Sequence, residues 1–312
     1  MKECLGMKKF SILVLAVFMS IVMAACSMES GGGSSSESSS KDDEVVIGFS
    51  VSTLNNPFFV SLSDAAKEKA KSEDTKITVV DAQDDASKQA SDIEDLIQQK
   101  VDLIMINPVD SSAIASAVES ANSAGIPVIT VDRSSEGGEV VSHIASDNKA
   151  GGEMAGEYLL TQVDKGAKIA VLEGVAGSSA AIDRGEGFVK AVEGQVDIAA
   201  SLTANFDRSE GLTVMENILQ ANPDVKAVFA QNDEMALGAL EAIQAEGKDI
   251  VVVGFDATDD AVAKVEAGEM AATVAQQPGL IGETAVKTAV EYLNGEEPED
   301  FIPVELELVT KE

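Results

Sequence analysis

Residues 45–72 read VVIGFSVSTLNNPFFVSLSDAAKEKAKS, a short β-branched run followed by an amphipathic stretch of helical length. The run Val45–Val51 predicts a strand, because β-branched and aromatic residues favour extended backbone. The stretch Pro57–Ser72 predicts a helix, because Pro is favoured in the first helical turn. Residues 45–72 therefore predict the first strand–helix unit of an α/β fold.

The same unit repeats along the chain. Further strands are predicted at Ile77–Asp81, Leu103–Asn107, Val128–Val131, Lys168–Leu172, Ile198–Thr203, Ala227–Ala230 and Ile250–Phe255. Helices are predicted near Ala86–Gln99, Ser111–Ala124, Asn148–Gln162, Ser178–Glu193 and Arg208–Ala221, and from Glu234 onward. Continuous apolar strands separated by helices predict parallel sheets that are covered on both faces.

Two consecutive sets of these units predict two doubly wound parallel-sheet lobes, although the sequence has no close internal repeat. We expect the chain to pass between the lobes near Val140–Asp147, at Gln276–Pro278 and within the extended segment Phe301–Val309, which makes a three-strand hinge. The first lobe would then contain residues 44–146 and 277–305, and the second residues 147–276 and 306–312. Open α/β sheets bind ligands at the carboxyl ends of their strands, so a cleft between the lobes is the expected site.

The N-terminus resembles a bacterial lipoprotein signal. Lys8 and Lys9 precede an apolar run of about 13 residues, which is shorter than the roughly 20 of a membrane span. Small residues then precede Cys26, with Met23 where such signals usually have Leu. We expect a signal peptide over residues 1–25 and a lipidated Cys26. The alternative is a signal anchor that is retained in the membrane. The initiating residue is either Met1 or Met7. Residues 26–43 are mostly Ser, Gly and acidic, and predict a flexible tether.

Composition excludes several classes of function. Residues 1–25 carry three Lys and one Glu, so their removal changes the formal charge from −32 to −34. Phosphate binding needs a basic face, so we expect no nucleic-acid partner. The two cysteines are Cys4 and Cys26, which leaves the folded part without an internal disulfide. A single histidine, His143, makes no histidine-based metal site, and we expect neither a metal nor another cofactor.

Arginine is scarce, since only three of the 22 Lys and Arg residues are Arg. A chain that uses Lys on its surface keeps Arg where a planar, multi-donor group is needed. Arg208 follows the predicted N-cap Asp207, with Glu210 completing a capping box, so we expect it to be an exposed first-turn residue. Arg133 and Arg184 are either ligand-binding residues or members of structural ion pairs.

Polar and aromatic residues collect at the predicted strand ends. Asn56, Asn107, Asn232 and Asp256 each follow a strand, where one such residue alone would be a turn or helix cap. Phe58 and Phe59 lie in a first helical turn, and Phe206 has only Gly211 at the position of a hydrophobic-staple partner. Aromatic rings beside carboxylates, amides and Arg suit a sugar, whose apolar face stacks and whose hydroxyls both donate and accept.

Four long blocks resemble the bacterial ribose-binding proteins of the type I periplasmic-binding family. They are STLNNPFFVSL (52–62), PVITVDR (127–133), VSHIASDN (141–148) and AQNDEMALG (230–238), and the resemblance covers essentially residues 44–312. It implies a two-lobed receptor that is not an enzyme and that closes on D-ribose. The ligand positions that it implies are Asn56, Phe58, Phe59, Asn107, Asp132, Arg133, Arg184, Phe206, Asn232, Asp256 and Gln276. The sequence departs from the family at Ile182-Asp183, which affects the helix surface, and His143 is expected to be structural.

The resemblance also implies an ABC-type membrane permease as partner, an extracytoplasmic location and a monomer, and it leaves a chemoreceptor partner open. A Gram-positive-type lipoprotein is expected, with a Gram-negative one as the alternative. Allose, another pentose, a galactofuranose-like sugar or a furanose-type signal are alternative ligands. A sugar-responsive repressor would need a helix-turn-helix where the signal and tether lie. A sugar-processing enzyme would use Asp132 or Asp256 as acid or base, but we expect their Arg partners to hold both ionised.

Overall fold

The computed structural model describes residues 45–311. The predicted signal peptide, Cys26 and the tether lie outside the described residues. No helix within residues 45–311 has the length and apolar character needed to cross a membrane.

The elements alternate as the sequence predicts. The first part of the chain forms β1 (Val46–Val51), α1 (Pro57–Ser72), β2 (Lys76–Asp81), α2 (Ala86–Gln99), β3 (Leu103–Ile106), α3 (Ala115–Ser123), β4 (Val128–Val131) and β5 (Ser142–Ser146). It is followed by α4 (Asn148–Gln162), β6 (Lys168–Glu173), α5 (Ser179–Val192), β7 (Asp197–Thr203), α6 (Arg208–Ala221), β8 (Ala227–Ala230), α7 (Asp233–Ala245) and β9 (Val251–Asp256). The last part forms α8 (Asp259–Ala267), β10 (Ala272–Ala275), α9 (Pro278–Leu293), β11 (Phe301–Val304) and β12 (Glu307–Thr310).

The strands form two six-stranded sheets, ordered β11-β5-β4-β3-β1-β2 and β12-β10-β9-β8-β6-β7. Every described strand pair is parallel except β10 with β12. We call the first sheet with α1, α2, α3 and α9 the first lobe, and the second sheet with α4 to α8 the second lobe. The chain passes between the sheets three times, from β5 to α4, from β10 to α9 and from β11 to β12. The predicted fold class of two doubly wound α/β lobes with a three-strand hinge is confirmed.

Short polar residues at the strand ends start the helices that follow. Asn56 Oδ1 accepts the Phe58 backbone N–H at 2.9 Å and begins α1 immediately before Pro57. Asn232 caps α7 in the same way, with its Oδ1 accepting the Met235 N–H at 2.9 Å. Each such cap contributes roughly 1 kcal/mol. The caps therefore fix where each chain segment turns away from the edge of its sheet.

Each lobe has its own apolar core. Phe49 and Leu62 are fully buried in the first, and Phe188 and Phe229 stack at 4.4 Å between ring centroids in the second. Full burial of such a side chain contributes roughly 1.5–3 kcal/mol. In the second lobe, α4 and α5 cross closely at Gly187, where a Cβ atom would overlap the Lys149 carbonyl oxygen. The cores hold both sheets rigid beneath the loops at their carboxyl ends.

The structure differs from the sequence prediction in two segments. The helix predicted near Ser111–Ala124 begins only at Ala115, because Asp110 Oδ1 accepts the N–H groups of Ser112 and Ala113 in a preceding turn. The segment Phe301–Val309, predicted as one extended crossing, forms β11 and β12 in different sheets. No bounds were predicted for α8, β10 and α9.

Candidate ligand-binding site

A cavity lies between the two lobes at the carboxyl ends of their strands. It is lined by Asn56, Phe58, Phe59, Asp132, Arg133, Ala180, Arg184, Phe206, Asn232, Asp256 and Gln276. Ten of the eleven predicted ligand positions line the cavity; the eleventh, Asn107, does not.

The first lobe contributes a carboxylate that is held from behind. Asp132 follows β4 with a left-handed φ of 63°, and its backbone N–H donates to the Ile144 carbonyl at 2.8 Å. Asn107 Nδ2 donates to Asp132 Oδ2 at 3.3 Å and to the Val131 carbonyl at 3.0 Å. Asn107 Oδ1 accepts the Ser52 N–H at 3.1 Å. Asn107 thus lies behind Asp132 and fixes its orientation.

Arg133 extends from the same turn between aromatic rings of both lobes. Its guanidinium carbon lies 5.1 Å from the ring centroid of Phe59 and 5.3 Å from that of Phe206. Arg133 Nη1 donates to the Pro108 carbonyl at 3.2 Å, and Nε lies 3.8 Å from Asp132 Oδ2. The latter distance is too long for a hydrogen bond, so Nε remains available as a donor.

The second lobe supplies Arg184 from α5. Its Nε donates to Asn148 Oδ1 at 2.8 Å, and its Nη1 donates to the Gln231 carbonyl at 2.7 Å. The guanidinium carbon lies 3.9 Å from the centroid of the Phe255 ring. Nη1 is 3.8 Å from Asp256 Oδ1. Arg184 is therefore fixed on three sides, with its remaining donors free for the cavity.

The opposite wall joins Asp256 to the hinge. Asp256 ends β9, and Gln276, just after β10, donates from Nε2 to Asp256 Oδ1 at 2.8 Å. Asn232 Nδ2 donates to the Phe206 carbonyl at 3.2 Å. Phe206 itself has a left-handed φ of 59°, and its ring lies so close to Gly174 that a Cβ there would overlap it. These contacts fix Asp256, Gln276, Asn232 and Phe206 in the lining of the cavity.

Within residues 45–311, three polar atoms at this cavity are buried without a hydrogen-bond partner: Asp132 Oδ1, Arg133 Nε and Gln276 Oε1. Leaving a buried polar group unpaired costs roughly 1–3 kcal/mol. Two of the three atoms are acceptors and one is a donor. A ligand hydroxyl satisfies either kind, because it both donates and accepts.

Burial dominates the electrostatics of the four charged residues. It raises the pKa of Asp132 and of Asp256, and the positive charges of Arg133 and Arg184 only partly oppose that shift. Burial likewise lowers the pKa of both Arg residues, against the attraction of the carboxylates. The Arg residues were expected to hold both carboxylates ionised, and their charges do favour ionisation, but desolvation by burial has the larger effect and raises both pKa values. A ligand that donates hydrogen bonds to these carboxylates would favour their charged forms.

The lobes are in direct contact beside the cavity. Ser111 N–H donates to the Gly177 carbonyl at 3.0 Å, and Ser134 N–H donates to Ser179 Oγ at 2.9 Å. Ser179 N–H donates back to Ser111 Oγ at 3.1 Å. Each of these bonds joins a loop of the first lobe to the start of α5 in the second. The structure is therefore closed over the cavity.

Several contributing residues were not singled out by the sequence analysis. Asn148, Gln231 and Phe255 hold Arg184; the first two fall inside the blocks that carry the family resemblance, which was the available signal. Arg208, expected to be an exposed first-turn residue, makes a two-point ion pair with Glu234 at 2.8 and 2.9 Å. That pair was missed.

Other predictions concern residues away from the cavity. Asp207 caps α6 as predicted, but Glu210 Oε2 accepts from Asn205 instead of closing the capping box. His143 lies in β5, 3.0 Å from Thr130 Oγ1 through Nδ1. The described part of the chain holds no cluster of three or more His, Cys, Asp or Glu side chains placed to bind a metal.

The fold and the cavity together define a two-lobed α/β ligand-binding protein. The periplasmic binding protein domain matches residues 47–297, and the chain belongs to this family. The ribose import binding protein of Bacillus subtilis (strain 168) is 52% identical over 300 residues, which are 96% of this chain and 97% of that protein. The Escherichia coli (strain K12) ribose import binding protein is 48% identical over 310 residues, which are 99% of this chain and 100% of that protein. Among solved structures, an ABC transporter solute-binding protein from Mycobacterium smegmatis with bound glycerol matches with a TM-score of 0.83 at 38% identity, covering 86% of this chain and 94% of that one.

Proposed function

We propose that this protein is an extracytoplasmic receptor that binds D-ribose between its lobes and delivers it to an ABC-type permease. The observation that carries the proposal is the lining of the cavity, which combines two Asp, two Arg and three Phe side chains with amides from both lobes and the hinge. Relatives at 48–52% identity over nearly the whole chain are named for ribose import, which supports ribose over other sugars.

Each side chain has a role that its chemistry supports. Asp132 and Asp256 accept hydrogen bonds from sugar hydroxyls, and Arg133 and Arg184 donate to hydroxyl and ring oxygens. The amides of Asn56, Asn232 and Gln276 do both. Phe58, Phe59 and Phe206 cover the apolar faces of the ring. We assign Asn107 an indirect role, in which it orients Asp132.

Selectivity follows from the cost of unpaired groups. A sugar epimer that moves one hydroxyl leaves a buried partner unsatisfied, which costs roughly 1–3 kcal/mol, or about 5- to 150-fold in affinity. Arg133 and Asp132 belong to the first lobe, whereas Arg184 and Asp256 belong to the second. Only the closed form presents all four to the sugar. The ligand therefore shifts the protein towards closure, since it binds that state better, and the closed form is the one we expect the permease to recognise.

Isothermal titration calorimetry of residues 44–312 tests the ligand. D-ribose, its pentose epimers and D-allose are titrated separately, and ribose is expected to bind with the highest affinity. Arg133→Ala and Asp256→Ala are expected to lose most of that affinity. Heat from another sugar but none from ribose would overturn the ribose assignment. Wild-type affinity in either variant would overturn the proposed site even if ribose remained the ligand.

We propose that the protein does not act chemically on its ligand. The family relatives are binding proteins of transporters. The buried Asp132 and Asp256 are close to Arg groups and suit recognition of hydroxyls. Incubation of the protein with ribose, followed by NMR of the recovered sugar, should return ribose unchanged. Formation of a new sugar species in proportion to protein concentration would contradict this.

Anchoring at the membrane is a separate proposal that rests on the N-terminal sequence. Signal cleavage before Cys26 and lipidation of its thiol would hold the receptor outside the membrane on a tether of residues 27–43. Expression with a labelled fatty acid should label the wild type but not Cys26→Ala, which should appear in the soluble fraction. Label that persists in Cys26→Ala would refute the anchor. We propose that the protein docks on the permease as a monomer. We also propose a first lobe of residues 44–146 and 277–305 and a second lobe of residues 147–276 and 306–312.

A further inference from the structure

The turn that carries Asp256 has an unusual backbone. Asp256 and the next residue, Ala257, have φ angles of 117° and 54°. Residues other than glycine rarely adopt positive φ, and two in succession need support from their surroundings. The direction of the Asp256 side chain into the cavity depends on this backbone conformation.

Three polar side-chain atoms of the second lobe hold the turn. Ala257 N–H donates to Thr273 Oγ1 at 3.1 Å, and Thr273 Oγ1 donates in turn to Asp233 Oδ1 at 2.8 Å. The backbone N–H and the hydroxyl of Thr258 donate to Asp233 Oδ2 at 2.8 and 3.2 Å. One carboxylate therefore secures the turn directly at Thr258 and indirectly at Ala257. We call Asp233, Thr258 and Thr273 the Asp233 clamp.

Asp233 is fully buried and does not line the cavity. Its hydrogen-bond donors in the clamp are neutral groups, so the carboxylate is desolvated without a cation in direct contact. The neighbouring strand makes room for it, because a Cβ atom on Gly254 would overlap Asp233 Oδ1. An Asn or Ser side chain could fill the same space without bringing a charge into the core. Packing alone therefore does not explain why position 233 carries a carboxylate.

We propose that Asp233 is a positioning residue for sugar binding, which holds the strained Asp256–Ala257 turn so that Asp256 meets the ligand. The proposal rests on the sugar-receptor function proposed above and extends it to a residue behind the cavity. Asp233 itself does not touch the sugar. It acts through the backbone of Ala257 and Thr258.

The charges around Asp233 suggest a pH-dependent signature for the clamp. Burial raises the pKa of Asp233 to about 7, and hydrogen bonds from Thr258 and Thr273 oppose the shift. Asp256 on β9 and Arg184 on α5 interact with this carboxylate electrostatically. The other charged residues of the packed helices are Glu234 and Glu241 on α7, of which Glu234 pairs with Arg208, and Asp259, Asp260, Lys264 and Glu266 on α8.

Protonation replaces an acceptor with a donor in a site where the Thr258 N–H needs an acceptor. Sugar affinity should therefore fall as the pH drops below about 7, where Asp233 takes up a proton. His143, the one histidine in the sequence, has its pKa lowered to about 4 by burial and does not titrate there. Burial also raises the pKa values of Asp132 and Asp256, and the charge of Asp233 contributes to the shift of Asp256. The pH profile is therefore interpreted together with amide exchange in the turn, which reports on the clamp itself.

The test compares wild type, Asp233→Asn and Gly254→Ala by calorimetric titration with ribose between pH 6 and pH 8. Asp249→Asn is the control, since it makes the same chemical change at an exposed loop position of the second lobe. Asp233→Asn is expected to bind about 10-fold more weakly at pH 7.5, because one donor of the clamp loses its acceptor. Its affinity should also vary less with pH than that of the wild type. Gly254→Ala should weaken binding through displacement of the carboxylate, and Asp249→Asn should match the wild type in both respects.

A second readout needs no sugar. Amide hydrogen exchange at Ala257 and Thr258 in the ligand-free protein should become faster in Asp233→Asn and stay unchanged in Asp249→Asn. Unchanged exchange, or a wild-type affinity and pH profile in Asp233→Asn, would overturn the inference. Failure of the wild type to bind any tested sugar would overturn the proposed function instead, while the exchange rates would still test the clamp.

Discussion

Arg133 of the first lobe lies over the ring of Phe206 of the second, with 5.3 Å from its guanidinium carbon to the ring centroid. On its other side the same guanidinium lies 5.1 Å from the ring centroid of Phe59, which belongs to its own lobe. A cation between two aromatic rings is stabilised by both, more so when desolvated. The contact to Phe206 joins the lobes, so Arg133 connects closure of the cleft with recognition of the ligand.

This arrangement predicts that Arg133→Lys binds ribose poorly although the charge is kept. An ammonium group has no flat face to lie between two rings and lacks the second donor direction that reaches the cavity. The expected loss is about 2 kcal/mol, or about 30-fold in affinity, measured by calorimetry. Arg208→Lys is the matched control, because Arg208 pairs with Glu234 and does not line the cavity. Equal losses in the two variants would contradict the role of the stacked guanidinium.

The close contact between Phe206 and Gly174 predicts that a substitution at Gly174, which does not line the cavity, also weakens ribose binding. Gly174→Ala places a Cβ atom against the Phe206 ring and should push that ring into the cavity. Overpacking of this kind costs about 1–3 kcal/mol, so ribose affinity should fall by about 5-fold or more. Gly279→Ala is the control, since its Cβ would meet Ala65 Cβ at an ordinary 3.8 Å. Unchanged affinity in Gly174→Ala would mean that the ring position does not matter for binding.

The sequence predicted the cavity wall well because the wall is built from strand ends. Asn56 and Asn232 follow apolar strands and cap the next helices, so local chain chemistry alone places them at the edge of a sheet. Phe206 was predicted to be a ligand residue because Gly211 occupies the position where its hydrophobic-staple partner would lie. The family resemblance then added Asp132 and Gln276, and of all the predicted positions Asn107 alone lies behind the wall.

What the sequence did not predict depends on how distant elements pack. Arg184 is held by an amide from α4 and by a backbone carbonyl beyond β8, and no local pattern shows that these meet. Asp233 follows the cap Asn232 at the start of α7. Nothing in the sequence indicates that Thr258 and Thr273 converge on it. The strength of desolvation is likewise a property of the folded state, so the sequence did not show that burial would raise the pKa values of Asp132 and Asp256.

The contacts between the lobes predict a mutation that weakens closure without touching the ligand. Ser179→Ala removes the Oγ that accepts the Ser134 N–H at 2.9 Å but keeps the backbone bond to Ser111 Oγ. Loss of one such bond costs about 1 kcal/mol in the closed state, so ribose affinity should fall about 5-fold. Thermal unfolding of the ligand-free protein should change little. Ser91→Ala, at an exposed hydroxyl on α2, is the control; a similar effect of both changes on affinity would argue against a role in closure.

The environment of His143 predicts how the free energy of unfolding depends on pH. Its ring stacks on Phe301 with 5.6 Å between centroids, and burial lowers its pKa from 6.5 to about 4, although the hydrogen bond with Thr130 opposes the shift. The unfolded chain therefore binds a proton at a higher pH than the folded chain. The contribution of neutral His143 to stability is complete above pH 6.5 and is lost progressively as the pH falls towards about 4.

His143→Asn should remove this acid sensitivity while it keeps a partner for the Thr130 hydroxyl. At pH 7.5 the variant should be less stable than the wild type, because the stacking on Phe301 is lost. At pH 5 its disadvantage should shrink by about 2 kcal/mol, since the wild type then bears the cost of a buried imidazole that resists protonation. Urea unfolding of both proteins at both pH values measures the difference. The raised pKa values of Asp132, Asp233 and Asp256 act in the opposite direction but are common to both proteins and cancel in the comparison. A disadvantage of equal size at pH 7.5 and pH 5 would show that His143 is protonated as readily in the folded protein as in the unfolded chain.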